Sequence, residues 1–313
     1  MNTLTVEQVE QEYHALVAGK EYAAALNLAT QYFDLFPQHA QQVVYYWRMD
    51  MATRCGNTAL ALQLLQEALD RGHWYAKLDE NPHFQALHDL PAFQRLTALS
   101  AQRREQAIAD AKPFMKVLLP EAQPGPYPII FGLHGNSSSA GIFGLHWSAA
   151  VKQGWLVGLP QAPQAYGPDR YSWNDWDWCI PALQAQFRSL CDQYPVDPER
   201  AVLAGFSMGA GLALWLALEE TIPVRGVIAV APFLSNPEAL NELLAQAASK
   251  DLRFYLVASQ KDEYCYQVAG KLADMFSQYG IVHKIDIYED VEHAFPPSFE
   301  DRLPQALEFI LKP

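Results

Sequence analysis

The stretch from Ala201 to Leu218 contains no charged side chain and has the pentapeptide Gly205-Phe206-Ser207-Met208-Gly209 near its start. Apolar residues precede the first glycine, and a run of Ala and Leu, which favour helix, follows the second. The 18 residues just reach the length of a membrane span, but a serine and three glycines interrupt them. We predict instead a buried strand that turns sharply at Ser207 and continues directly as a helix.

From residue 113 onward, short apolar runs alternate with helix-like segments. Several runs are almost continuously apolar, which is typical of strands that helices cover on both faces. The predicted strands are 114–119, 128–133, 155–159, 201–205, 226–231, 253–258 and 284–288, and the predicted helices are about 140–153, 180–193, 208–220, 237–249, 264–279 and 300–311. This order predicts an α/β fold for residues 113–313, with right-handed βαβ connections and a doubly wound, mainly parallel sheet.

Residues 1–112 differ in character, because Leu and Ala recur among Gln and Glu at helical spacing. Strand-like runs are scarce there apart from residues 43–47. The segment that begins at Gly19 aligns with the segment that begins at Gly56. This internal repeat resembles a degenerate pair of tetratricopeptide-like hairpins, and an unrelated helical bundle is the alternative. We therefore predict an all-α helical-hairpin domain ahead of the sheet.

The end of this helical region carries two prolines at positions that favour helix starts. We predict short helices that begin at Pro82 and Pro91, followed by a separate solvated helix over residues 100–112.

Ser207 is the candidate nucleophile, because a strand-to-helix turn lifts its hydroxyl above the sheet edge, beside a helix N-terminus. A serine hydroxyl needs a base within hydrogen-bond reach and a carboxylate that orients this base. In a parallel sheet these groups come from the carboxyl ends of later strands. Asp262 follows the predicted strand 253–258, and His293 follows the predicted strand 284–288. We predict a catalytic triad of Ser207, His293 and Asp262.

Other titratable residues are weaker candidates for the triad. Glu263 neighbours Asp262, Asp290 lies too close to His293 in the chain, and His283 precedes the last predicted strand. The histidines of the N-terminal part have no serine and carboxylate at matching positions, and we predict that each is solvated or caps a helix. They are His14, His39, His73, His83 and His88.

Acyl transfer also needs hydrogen-bond donors for the oxyanion that develops on the substrate. His134-Gly135-Asn136 follows the predicted strand 128–133, and its glycine lets the chain approach a substrate closely. We predict that the backbone N–H groups of Asn136 and Met208 form the oxyanion hole. An ordinary turn is the alternative for this segment, and we predict that His134 is structural and lies beneath the loop.

Together with Pro160-Gln161-Ala162-Pro163 and Ser172-Trp173-Asn174-Asp175, these motifs make residues 113–313 resemble the α/β-hydrolase superfamily. The resemblance is to its small carboxylesterases, acyl-thioesterases and dienelactone hydrolases. It implies a serine hydrolase that cleaves carboxylic esters of small or medium, soluble substrates through an acyl-enzyme. It also implies that the reaction requires no metal and no organic cofactor.

The segment 166–178 is rich in aromatic residues, with Asp169, Asp175 and Asp177 among them. We predict that Tyr171, Trp173 and Trp176 bind substrate by lining an acyl or aryl pocket. The alternative is that these rings cover the core and anchor the loop. The carboxylates would disfavour anionic substrates.

After the predicted strand 226–231, only residues 234–252 separate Phe233 from Arg253, which is too short for a lid domain. We therefore expect that the N-terminal helices narrow access to the serine instead.

The formal net charge is −13, with 22 Lys and Arg against 35 Asp and Glu. This balance repels phosphate backbones and anionic lipid surfaces, so we expect neither nucleic acid nor membrane as a partner. Residues 1–14 lack the apolar stretch of a signal peptide. The four cysteines form no CxxC motif and no Cys/His ligand cluster in the sequence. We predict a reducing, cytoplasmic location, without a disulfide framework or structural zinc.

Three further functions remain open from the sequence. A serine peptidase or aminoacyl hydrolase of the prolyl-oligopeptidase branch would share the triad, although the propeller that this branch usually adds is missing. A carbon–carbon or dienelactone hydrolase is a second alternative, although the latter commonly has cysteine at the position of Ser207. In the third, the helical hairpins dock a protein partner or mediate self-association, and the hydrolase domain is carried with them.

Overall fold

The computed structural model describes residues 4–38, 40–110, 113–121, 124–167 and 170–312, so His39 and Asp169 lie outside the described residues. The chain divides into two compact units. The first, which we call the helical unit, is Met1–Ala111 with Ala165–Asp169. The second, which we call the sheet unit, is Lys112–Gln164 with Arg170–Pro313.

The helical unit is built from consecutive helices that pack on one another, as the sequence predicts. They are α1 (Val6–Ala18), α2 (Tyr22–Gln31), α3 (Gln41–Arg54), α4 (Thr58–Asp70) and α5 (Pro91–Asp110), with short 3₁₀ helices at Phe33–Leu35 and Pro82–Leu87. Thr5 opens α1 with a capping box that it forms with Gln8. The strand-like run 43–47 belongs to α3, where Val44 and Tyr45 are buried in the core of this unit.

The prediction of a separate helix over residues 100–112 is wrong, because α5 continues unbroken from Pro91 to Asp110. Ser100 lies in the middle of this helix and is almost fully buried. Its Oγ accepts a hydrogen bond from Tyr75 N at 2.7 Å and donates one to Tyr75 O at 3.0 Å. These two bonds tie the middle of α5 to the rest of the unit.

The rest of the chain alternates strands and helices. The strands are β1 (Met115–Leu118), β2 (Tyr127–Leu133), β3 (Leu156–Pro160), β4 (Gln164–Gly167), β5 (Arg170–Ser172), β6 (Val196–Phe206), β7 (Gly226–Val230), β8 (Arg253–Ser259) and β9 (Val282–Tyr288). The helices are α6 (Ala140–Phe143), α7 (Ser148–Lys152), α8 (Trp176–Gln193), α9 (Met208–Leu218), α10 (Asn241–Ala247), α11 (Glu263–Gln278) and α12 (Phe299–Leu311).

Seven strands form one sheet in the order β1-β3-β2-β6-β7-β8-β9, and β4 and β5 lie outside it. Every neighbouring pair in this sheet is parallel except β1 and β3, which are antiparallel. All seven predicted strands belong to the sheet, so the predicted fold class is confirmed.

The two faces of the sheet pack into separate cores, which explains the uninterrupted apolar runs. In β6, Ala201 and Leu203 point into one core, whereas Val202 and Ala204 point into the other. Helices α8 and α9 contribute to the first core and α12 contributes to the second. Within the described residues, every helix is too short or too polar to cross a bilayer.

The continuous helix predicted over residues 140–153 is wrong. The chain forms α6, then a 3₁₀ turn at Gly144–His146, and then α7. Glycines at 141 and 144 weaken a continuous helix. The turn also accompanies complete burial of Trp147, whose ring packs edge-to-face on Phe143 and Phe299.

Candidate active site

Ser207 lies between β6 and α9 with φ of 55° and ψ of −121°, a left-handed conformation that a non-glycine residue rarely adopts. Its backbone N–H donates to Val230 O on the neighbouring strand at 2.9 Å, and its carbonyl accepts from Phe233 N at 3.0 Å. A Cβ at Gly205 would collide with the backbone of Gly209, and a Cβ at Gly209 would collide with the carbonyl oxygen of Leu133. The two glycines of the pentapeptide therefore make this sharp turn possible.

The three residues of the predicted triad lie within hydrogen-bond distance of one another in series. His293 Nε2 is 2.8 Å from Ser207 Oγ, and His293 Nδ1 is 2.6 Å from Asp262 Oδ2. Asp262 follows β8 and His293 follows β9, at the sheet edge where β6 also ends. A neutral imidazole with its proton on Nδ1 would donate to Asp262 and accept from the serine hydroxyl.

The segment that carries His293 is fixed by contacts on both sides. Ser259 Oγ donates to Val291 O, and it accepts from Val291 N at 3.2 Å. The ring of Phe206 lies 4.9 Å from the imidazole of His293 and stacks on Phe295 at 5.0 Å. The histidine is thus held between the end of β8 and the residue that precedes the serine.

The rival carboxylates lie elsewhere. Asp290 is highly exposed and pairs with Lys261 at 3.2 Å. Glu263 is the first residue of α11 and accepts a hydrogen bond from Gln267. His283 lies within β9, near its start, and hydrogen-bonds to Ile281 O at 3.0 Å.

Among the histidines of the helical unit, His73 contradicts the prediction that each is solvated or caps a helix. It is buried near the ring of Tyr45, and burial lowers the pKa of its imidazole. His14 is exposed, His83 pairs with Asp50 at 3.3 Å, and His88 stacks on Phe93.

The loop after β2 is held by the fully buried His134, as predicted. Its Nε2 accepts a hydrogen bond from Ala162 N at 3.1 Å and lies 2.9 Å from Gln161 Nε2, while its Nδ1 lies 2.8 Å from Gly135 O. This pattern fits a neutral ring with its proton on Nδ1. Burial lowers the pKa of His134 to about 4.

The two predicted oxyanion donors extend from neighbouring strands. Leu133 on β2 pairs with Gly205 on β6, and Asn136 and Met208 each follow three residues later. Asn136 is exposed, and Met208 is the first residue of α9, so its N–H has no acceptor within the helix. A Cβ at Gly135 would lie 2.7 Å from the ring of Phe206, so only glycine lets the loop pass this close to the serine turn.

A cavity of about 770 Å³ opens beside the serine turn. Its wall contains three tryptophans, aliphatic side chains, and polar groups that include two carboxylates. The lining residues are Trp173, Asn174, Asp175, Trp176, Asp177, Met208, Trp215, Phe233, Leu234, Ser235, Asn236, Ala239 and Leu240. Trp173 and Trp176 both line the cavity, but Trp173 is almost fully buried and its Nε1 donates to His134 O at 2.8 Å, so its ring also covers the core.

Tyr171 does not line the cavity. Its backbone N–H donates to Ser138 O at 2.9 Å, and its ring packs against the hydrophobic core. The observed position of Tyr171 therefore matches the alternative in which the ring covers the core.

Part of the cavity wall was missing from the sequence prediction. It comes from the segment after β7, where Phe233 is partly exposed and a 3₁₀ helix, Pro237–Leu240, precedes α10. This short helix replaces the first turns of the helix predicted over 237–249. A signal was available, because residues that follow the carboxyl end of a parallel strand lie at the edge where ligands bind.

A cysteine adjoins the triad, although the sequence indicated no Cys/His cluster. Cys265 lies in the first turn of α11 with Sγ 3.7 Å from His293 Nδ1. Asp262, Cys265 and His293 each offer one possible metal-ligand atom, and these three atoms lie within 4.8 Å of one another. Burial, followed by the charge of Asp262, raises the pKa of the Cys265 thiol to about 12. The pattern Asp-x-x-Cys at a helix start was the available signal, since residues three apart share a helix face.

Two family models match the chain. Residues 9–108 match the model described as the N-terminal domain of A/B hydrolase-like proteins, and residues 180–312 match the model described as phospholipase/carboxylesterase. No curated protein matches the chain.

Solved structures share the fold. A Bacillus cereus protein described as uncharacterized has a TM-score of 0.57 and 22% identity, over 98% of this chain and 99% of that one. Esterase PE8 has a TM-score of 0.52 and 21% identity, over 64% of this chain and 100% of that one. An S-formylglutathione hydrolase from Staphylococcus aureus has a TM-score of 0.50 and 15% identity, over 64% of this chain and 90% of that one. At these identities the likeness shows the fold alone.

Proposed function

The chain belongs to the α/β-hydrolase superfamily, and we propose that it is a serine esterase that cleaves small or medium carboxylic esters through an acyl-enzyme. The observation that carries this proposal is the series of hydrogen bonds from Asp262 through His293 to Ser207. The left-handed conformation of Ser207 adds support, because strained backbone of this kind clusters at active sites.

In the proposed reaction, Ser207 Oγ attacks the ester carbonyl while His293 Nε2 takes the hydroxyl proton. Asp262 keeps the other imidazole proton on Nδ1 and stabilises the imidazolium that forms. When the tetrahedral intermediate collapses, the C–O bond to the alcohol breaks and His293 returns the proton to the leaving oxygen. The acyl group then remains on Ser207.

Deacylation repeats these steps with water. His293 takes a proton from the water molecule, whose oxygen attacks the acyl carbonyl. Collapse of the second intermediate releases the carboxylic acid, and the proton returns to Ser207 Oγ. The N–H groups of Asn136 and Met208 stabilise the oxyanion in both halves, and removal of one such donor typically costs about 10²–10³ in turnover.

The cavity supports the substrate class. Its 770 Å³ falls within the usual range for small-molecule sites, about 300–1,000 Å³. Trp176 and Trp215, which are both partly exposed, offer flat apolar surface to an acyl or aryl group. Asp175 and Asp177, which are both exposed, make the rim unfavourable for anionic groups. We therefore propose uncharged acyl or aryl esters as substrates.

Replacement of the nucleophile tests the proposal. Ser207→Ala removes the attacking oxygen, so hydrolysis of p-nitrophenyl esters should fall by several orders of magnitude. Labelling by a fluorophosphonate should disappear in the same variant. Ser189→Ala, which changes an exposed serine on α8, is the matched control and should keep both activities. Near-normal hydrolysis by Ser207→Ala would refute the proposal.

A substrate panel distinguishes ester from amide cleavage. Esters from acetyl to long acyl should be hydrolysed much faster than aminoacyl p-nitroanilides with the same reporter group. A preference for the anilides would favour the peptidase alternative over the esterase.

A further inference from the structure

The group formed by Asp262, Cys265 and His293 contains a carboxylate, a thiol and an imidazole, which are the three side-chain types that bind Zn²⁺ in proteins. The triad uses the carboxylate and the imidazole, but the proposed esterase chemistry has no role for the thiol. We propose that these three residues form an inhibitory zinc site. The kinetic consequence of this inference rests on the proposed esterase function, whereas the binding of zinc does not.

The two distances from His293 Nδ1 to the other ligand atoms are close to those of a tetrahedral zinc site. Ligand atoms about 2.0–2.3 Å from a zinc ion at tetrahedral angles lie about 3.3–3.6 Å apart. Cys265 Sγ and His293 Nδ1 are already 3.7 Å apart. Asp262 Oδ2 and His293 Nδ1 are 2.6 Å apart, so their separation must grow by less than about 1 Å. A water molecule can complete the coordination.

Two of the three proposed ligands come from one helix start. Asp262 is the residue before α11 and Cys265 lies in its first turn, so one rigid helix start presents both ligands. The side chain of Asp262 is 10% exposed, whereas that of His293 is 45% exposed. A zinc ion can therefore enter from the side of the histidine. The excess of acidic residues in the chain favours the approach of a cation.

Zinc at this position is incompatible with the role of His293 as base. The ion would bind the lone pair of Nδ1, so the proton of the neutral imidazole would have to reside on Nε2. Nε2 would then be a donor toward Ser207 Oγ and could not take the hydroxyl proton. The thiol proton of Cys265 would pass to solvent as Sγ binds the ion. The Asp262–His293 hydrogen bond would also be lost.

Zinc titration of the full-length protein tests the binding step. Isothermal titration calorimetry with ZnCl₂ should show one site in the wild type and a similar site in Ser207→Ala, which keeps all three ligands. Cys265→Ser should weaken this binding by more than about 100-fold, because loss of even an outer partner of a metal site costs about 10–100-fold. Cys55→Ser, which alters an exposed cysteine of the helical unit, is the matched control and should bind like the wild type.

The kinetic step is tested on p-nitrophenyl esters, with each variant compared with its own zinc-free rate. Zinc should lower kcat in proportion to the occupancy of the site while KM stays constant, and EDTA should restore the rate. Cys265→Ser should keep its zinc-free kcat at zinc concentrations that inhibit the wild type and Cys55→Ser.

The two proposals fail separately. Equal zinc affinity in the wild type and Cys265→Ser, or the absence of binding, would overturn the zinc site whatever the enzyme hydrolyses. Cysteine-dependent binding without ester hydrolysis in the zinc-free protein would instead overturn the esterase proposal and leave the site in place. Bound zinc that leaves kcat unchanged would overturn the inhibitory role.

Discussion

His134 anchors the loop after β2 through the donors of Ala162 and Gln161, and it does so in the neutral state. Burial lowers its pKa to about 4 from the ordinary value of 6.5. When the pH falls below 6.5, the unfolded chain takes up a proton at this residue while the folded protein does not. The free energy of unfolding therefore decreases as the pH falls from 6.5 toward 4.

This linkage predicts the behaviour of His134→Gln. Below pH 4 the wild type should have lost about 3 kcal/mol of stability through His134 alone, and the variant should lack this part of the pH dependence. Urea unfolding at pH 7.0, 5.5 and 4.5 measures the difference in slope. His14→Gln, an exposed histidine, is the control. Parallel pH profiles for the wild type and His134→Gln would show that the buried ring does not act in this way.

Asp262 and Asp290 provide a direct comparison of two carboxylates near strand ends. Asp262→Asn should lower kcat by about 10³–10⁴, because an amide favours the wrong tautomer of His293. Asp290→Asn changes an exposed carboxylate that pairs with Lys261, and it should leave kcat within about twofold. Steady-state kinetics on one p-nitrophenyl ester suffice. A larger loss in the Asp290 variant would exchange the roles of the two residues.

At the residue scale, what the sequence predicts depends on whether a local pattern carries the information. Ser207, Asp262 and His293 could be predicted because each follows a strand whose end lies at one edge of a parallel sheet. For Cys265 the local Asp-x-x-Cys pattern indicates only a contact with Asp262, whereas its contact with His293 joins distant parts of the chain. His73 was missed for a similar reason, since its burial beside Tyr45 is a tertiary contact without a local signal.

At the element scale, the strands of the sheet were predictable because burial on both faces leaves uninterrupted apolar runs. The direction of β1 was not, since an antiparallel edge strand has the same composition as a parallel one. The ends of helices were also difficult to predict where a tertiary contact breaks or extends the helix. The break before α7 accompanies the burial of Trp147, and the continuity of α5 accompanies the burial of Ser100.

The turn between β6 and α9 gives a prediction about Gly209. In Gly209→Ala the new methyl group would collide with the carbonyl oxygens of Leu133 and His134, which are backbone atoms and have little freedom to move. We expect a loss of more than about 2 kcal/mol of stability and a large loss of hydrolysis. Urea unfolding and ester kinetics measure the two effects.

Gly270→Ala is the matched control for this turn. Gly270 lies inside α11 and a Cβ there would meet nothing within 4 Å. Alanine favours helix over glycine by about 0.5–1 kcal/mol, so this variant should be slightly more stable than the wild type. If both variants behaved alike, steric exclusion at the serine turn would not be the reason for Gly209.

At the scale of the whole molecule, each unit has its own hydrophobic core. The helical unit buries Val44, Leu64 and Phe93, whereas the sheet unit buries residues on both faces of its sheet. The segment Ala165–Asp169 is the exception to a simple division in sequence, because it groups with the helices. Within the helical unit, Arg104 Nε donates to Ala165 O at 3.4 Å, and Gly167 lies against the side chain of Gln42.

We expect the helices to influence access to the serine, and the segment Ala165–Asp169 makes this expectation specific. Residues 165–167 precede in sequence the segment 173–177, which lines the cavity. Removal of residues 1–110 takes away Gln42 and Arg104, so the chain that leads into the cavity wall loses its contacts. The sheet unit retains both of its cores and should fold.

We expect its preference among acyl chain lengths to shift relative to that of the full chain, as kcat/KM for acetyl to dodecanoyl p-nitrophenyl esters would show. Arg104→Ala in the full chain should give a smaller shift in the same direction, whereas Arg95→Ala, at an exposed position of the same helix, should give none. A well-folded truncation with the chain-length profile of the full protein would mean that the helical unit has no part in substrate selection.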